Sequence, residues 1–126
     1  MSLLQLPYTV TTDTVLVASN IITLPYQGWI MVGPGFTGNT ITMDNGFAND
    51  LYVALGAPAL LYAFTLVLSF VGARDYSATL SVIDPDIDIS NSTTLAFRNG
   101  RICTDKMLVL MFVLTQVSPP QWTVYG

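Results

Sequence analysis

The sequence predicts an all-β protein, an antiparallel β-sandwich or jelly-roll-like barrel of about seven to nine strands. Three observations carry this expectation. Turn dipeptides recur at short intervals along the 126 residues. The residues that normally dress helix surfaces are scarce: there is no Glu and only one Lys, while Thr and Val abound. Finally, the longest apolar runs sort their side chains by two, which is the period of a strand.

The length suits one domain. Residues 1–10, "MSLLQLPYTV", are apolar and lack the charged start and long apolar run of a signal peptide, so they read as an extended N-terminal arm. "GPG" at 33–35 and "TGNT" at 37–40 punctuate the first half. "DNGF" at 44–47 and "RNGR" at 98–101 contain Asn-Gly, the pair that tolerates a type I′ turn. The second predicts a hairpin turning at Asn99-Gly100 between "TTLAF" and "ICT". "GARD" at 72–75 links "LLYAFTLVLSFV" to "YSATLSVI", in which Ala78, Leu80 and Val82 alternate with Ser77, Thr79 and Ser81. No helix is expected anywhere.

Residues 51–73 carry no charge and are long enough to cross a bilayer as a helix. Gly56 and Pro58 interrupt that helix early. Beyond them Tyr62, Phe64, Leu66, Leu68 and Phe70 are large, while Ala63, Thr65, Val67, Ser69 and Val71 are smaller. That sorting predicts a strand with a thick core on one face. A small membrane protein using residues 51–73 is the least favoured alternative.

"KMLVLMFVLTQV", from Lys106 to Val117, is apolar at even and odd positions alike. A half-buried strand alternates apolar with polar, so this one needs a cover on both faces. The economical cover is other copies of the chain. Leu108, Leu110, Phe112, Leu114, Val67 and Val71 are the expected subunit-interface residues. Residues 118–126, "SPPQWTVYG", open with two prolines and are too apolar for a free tail. They read as a C-terminal arm, with Trp122, Val124 and Tyr125 reaching a partner surface.

Only 10% of residues are charged, against ~25% in an average globular domain. The net charge is −4 with four cations in all, which argues against nucleic acid as a partner. Without His, no Ser/His/Asp or Cys/His set exists, and Cys103 reads as a small core residue. "GPGFTG" lacks the Lys of a phosphate-cradling loop. No enzyme activity and no cofactor are expected. Asp84, Asp86 and Asp88 lie on one side of an extended segment and are the weak metal candidates. Their spacing fails the EF-hand pattern, because Ile89 and Leu95 stand where Gly and Glu belong. An edge strand protected by like charges is the simpler reading. Asn91-Ser92-Thr93 is a glycosylation acceptor only in a secretory pathway.

A small, helix-poor, charge-poor β-domain with apolar arms resembles the β-sandwich proteins of virions, in particular the capsid-decorating or cement proteins of tailed phages. That resemblance implies a homotrimer located in the virion, with the major capsid protein or another shell protein as partner. The alternative is a trimeric receptor- or carbohydrate-binding head domain of a viral fibre, using outward aromatics such as Trp29 or Trp122.

Overall fold

The computed structural model describes residues 8–23, 27–33, 35–70, 77–104 and 106–126. The chain is mostly β, 48% strand against 17% helix, in two mixed sheets of seven and four strands. The larger sheet contains β1 (Tyr8–Val10), β3 (Ile22–Thr23), β4 (Gln27–Val32), β6 (Ala63–Ser69), β8 (Ile87–Asp88), β10 (Met107–Val117) and β11 (Pro120–Tyr125). Its order is β1-β4-β6-β10-β11-β8, with β3 beside β4. The smaller sheet runs β2 (Thr14–Val15), β5 (Asn39–Met43), β7 (Ala78–Val82), β9 (Ile102–Cys103).

The antiparallel expectation needs correction. β4–β6, β1–β4, β5–β7, β2–β5 and β8–β11 are parallel, while β6–β10, β10–β11, β3–β4 and β7–β9 are antiparallel. The cause is the path of the chain. It leaves the large sheet after β4, adds β5 to the small sheet, and returns as β6; it then leaves again for β7. A chain that crosses to the other layer and back re-enters in its original direction. Long crossovers of this kind are what parallel neighbours require.

The expectation of no helix also fails. Among the described residues three short helices occur: α1 (Ala18–Ile21), α2 (Phe47–Ala54) and α3 (Thr93–Arg98). In α2, Phe47, Leu51 and the following Leu55 are buried at a spacing of four, which is one helix face. Gly46 begins it with φ at 92°, a conformation that favours glycine. Of the uncharged run at 51–73, the described residues 51–70 are helical only to Ala54 and later form β6, and 71–73 lie outside the described set. No helix among the described residues is long and apolar enough to cross a membrane. "TTLAF" is α3 rather than a strand. The Ser92 hydroxyl accepts from the Leu95 N–H at 3.1 Å, an N-cap, and donates to the Gly126 carbonyl at 3.2 Å. Asn99-Gly100 turns no hairpin. The helix ends at Asn99, which is extended, and Gly100, with φ at 75°, sits in the turn that the Arg101 N–H closes onto the Arg98 carbonyl at 2.9 Å, its own N–H donating to Leu80 O at 2.7 Å.

The inner faces of both sheets and all three helices contribute to one core cluster. Phe64, Leu66 and Leu68 of β6 are fully buried, as the size sorting predicts. They face inward with Leu108, Leu110, Phe112 and Leu114 of β10 and Trp122 and Val124 of β11. The Phe112 ring meets Phe47 and Phe64 edge-on, each at 6.2 Å between centroids. Gly28 sits where a Cβ would come within 2.9 Å of the Phe64 ring.

Residues 118–126 are thus not an arm. They turn back at Ser118-Pro119 and pair along β10 as β11. The Trp122 indole N–H donates to the Ala48 carbonyl of α2 at 2.9 Å, locking helix to sheet. In the N-terminal arm, residues 8–10 pair with β4 as β1, and residues 1–7 lie outside the described set, as does the "GARD" link.

Trp122→Phe should lose about 1–3 kcal/mol by orphaning the Ala48 carbonyl, and Trp122→Ala about 3–5 kcal/mol, both measured by urea denaturation. Deleting residues 119–126 removes a core strand. Its expected result is loss of the cooperative unfolding transition, and a truncated chain that still unfolds cooperatively would contradict this account of β11.

Candidate interaction surface

Pairing register assembles the outer face of the large sheet from residues far apart in sequence. One row across the strands is Trp29–Val67–Val109. The next is Gln27–Thr65–Met111–Tyr125, with Met31–Ser69–Met107 beyond the first row and Ala63–Val113–Thr123 beyond the second, although Ser69 and Thr123 in these rows are buried. Trp29 is 36% exposed, Tyr125 41%, Met111 43%, Val109 51% and Met107 55%. Neither β4, β6, β10 nor β11 contains a charged residue. Four strands about 4.8 Å apart and about seven residues long make a wall of roughly 400 Å².

The expected interface residues divide. Val67 lies on this wall, half-buried. Leu108, Leu110, Phe112 and Leu114 do not: they are core within one chain, and their neighbours at odd positions face out. The reason is register. Leu110 stands opposite Leu66 and Phe112 opposite Phe64, so the large residues of both strands share the inner face. Val71 lies outside the described residues. The sequence carried a signal for this choice, because the even side of β10 from 108 to 114 is Leu and Phe while the odd side is Met, Val and Thr. Of the residues expected to touch a shell, Trp122 and Val124 are buried in the core; Tyr125 reaches the outer wall.

The three weak metal candidates do not converge. Asp84 is buried, and its Oδ2 accepts the Ala48 N–H at 2.9 Å while Oδ1 accepts the Asp86 N–H at 3.0 Å. It thereby caps the first turn of α2 from across the core. Asp86 accepts from the Gln121 side chain at 3.3 Å. Asp88 accepts from the Ser90 hydroxyl at 2.6 Å and the Ser90 N–H at 2.9 Å. Among the described residues no group of three or more His, Cys, Asp or Glu is placed to hold a metal. β8 closes one end of the large sheet, so the exposed Asp88 marks an edge. Cys103 is buried in β9.

A shallow cavity of about 500 Å³ lies between α1 and α2. Val17, Ser19, Asn49, Asp50, Val53 and Ala54 line it.

Asp84→Ala should cost about 1–3 kcal/mol by leaving buried N–H groups unsatisfied, read as a lower denaturation midpoint. The hydroxyl and N–H of Ser90 hold the Asp88 carboxyl below its ordinary value. A depressed folded-state pKa stabilises above the unfolded value, and that contribution fades as pH falls through the folded one. Asp88 is exposed, so the effect on stability is small. Ser90→Ala should raise the Asp88 pKa toward the ordinary range in an NMR titration.

Compared with protein-family models, curated proteins and solved structures, the chain finds a match in none of the three.

Proposed function

We propose that this chain is a non-enzymatic assembly protein: a homotrimer, three outer walls turned toward a common axis, seated on a larger protein shell. One observation carries the reading, the uncharged wall of Trp29, Met107, Val109, Met111 and Tyr125 across four strands. Interface cores are enriched in aromatic residues and Met and depleted of charge. A free surface with this composition, in a chain whose eight acids and four bases all lie off those four strands, is suited to burial. Three sheets facing one axis cover one another and leave no growing end. The number three and the shell, whether the major capsid protein or another virion protein, rest on the resemblance to capsid-decorating proteins.

A second reading has its own support. Trp29 and Tyr125 are both presented on one sheet face, an arrangement that also suits the sugar-stacking surface of a receptor-binding head. Glycan-array binding that Trp29→Ala abolishes, with the molecular mass unchanged, would favour it.

Light scattering at micromolar concentration should give three times 13.7 kDa. Val109→Asp and Met111→Asp should each weaken association at least about tenfold, ~1.4 kcal/mol, with the monomer still folded. Leu110→Asp and Phe112→Asp should instead unfold the chain, since they bury a charge in its own core. A wild-type chain that stays monomeric removes this reading.

A further inference from the structure

An asparagine before a glycine is open to attack by the next backbone nitrogen, because glycine has no Cβ to crowd the approach. Of the asparagines in this chain, only Asn45 and Asn99 precede glycine. The two pairs share a backbone form. Each glycine is left-handed, Gly46 at φ 92° and Gly100 at φ 75°. Each pair forms the middle of a four-residue turn. The Phe47 N–H donates to Asp44 O at 3.1 Å, and the Arg101 N–H donates to Arg98 O at 2.9 Å.

Their surroundings are opposite. The Asn99 side-chain oxygen accepts the Val82 N–H at 2.8 Å, and the Gly100 N–H donates to Leu80 O at 2.7 Å. The attacking nitrogen and the amide it would attack are thus both tied to β7. Bringing them together breaks two hydrogen bonds at a half-buried position. Asn45 and Gly46 are exposed. Neither the Asn45 side chain nor the Gly46 N–H has a hydrogen-bond partner among the described residues. Nothing there holds the two reacting groups apart.

We propose that Asn45 is a site of spontaneous deamidation, and that its tethers to β7 protect Asn99 from the same reaction. The Gly46 nitrogen gives its proton to hydroxide and attacks Asn45 Cγ. A new C–N bond closes a cyclic imide while the bond from Cγ to the side-chain nitrogen breaks. That nitrogen takes a proton from water and leaves as ammonia. Water then opens the ring at either carbonyl, giving aspartate or, with the chain rerouted through Cβ, isoaspartate. The net reaction consumes water alone. The new negative charge arises just before α2, where a helix N-terminus favours it. The isoaspartate form instead lengthens the backbone between β5 and α2.

The test keeps the folded full-length chain in warm, mildly alkaline buffer and follows each asparagine by peptide mass spectrometry. A second sample, unfolded in urea, sets the clock: incubation runs until that sample has lost both amides. In the folded chain deamidation at Asn45 should be at least about tenfold faster than at Asn99. Asn45→Gln, at an exposed position, should abolish the new acidic species on ion exchange and leave the circular dichroism spectrum unchanged. An Asn45 still fully amidated when the clock stops overturns the proposal. So does an Asn99 that reacts as fast as Asn45 in the folded chain.

Discussion

The antiparallel pairing of β6 with β10 holds the large sheet together, from Met107 opposite Ser69 to Val113 opposite Ala63. It lies at the centre of that sheet, with β4 and β1 on one side and β11 and β8 on the other. Its register decides which side chains become core. Leu66 opposite Leu110 and Phe64 opposite Phe112 place the bulk of both strands on the inner face. A slip by one residue would exchange that face for Val109 and Met111. The inner positions are larger and fill the space beneath the sheet, so packing selects this register over its alternative.

Polar contacts then fix the helices to that frame. Trp122 reaches from β11 to the Ala48 carbonyl, and Asp84 reaches the Ala48 N–H, so both groups of one α2 peptide position are satisfied from the loop–strand side. Ser92 caps α3 and ties it to the Gly126 carbonyl. The three side chains are buried, where an unmade hydrogen bond costs more than a made one contributes. Three side chains thus specify the positions of α2 and α3, helices of eight and six residues that cannot hold by their own propensity.

The same register that builds the core creates the outer wall. Four charge-free strands side by side necessarily show a charge-free face, because every second residue points away from the core. Nothing in the packing of the described residues requires Met107, Val109 and Met111 to be apolar. Their apolar character, at 43–55% exposure, is what the proposed association rests on.

Much of this was legible in the chain itself. Period-two sorting placed Phe64, Leu66 and Leu68 inside, identified β7, and showed that β10 has apolar residues on two faces. The scarcity of charge and the absence of His narrowed the chemistry. Short-range patterns failed where distant partners decide. "TTLAF" alternates like a strand, yet the Ser92 cap and the burial of Leu95 make it a helix. Asn99-Gly100 is the pair of a type I′ hairpin turn, but Asn99 is extended at φ −60° and only Gly100 is left-handed, so the pair makes a turn behind α3 instead. "PPQWTVY" looked like an arm because nothing local shows that β10 awaits it. Strand order and direction were beyond reach for the same reason: a neighbour reached through a crossover into the other sheet leaves no mark in the sequence between turn and strand. The sequence by itself determined which residues avoid water; only the tertiary structure decided which of two apolar faces the chain covers with its own core.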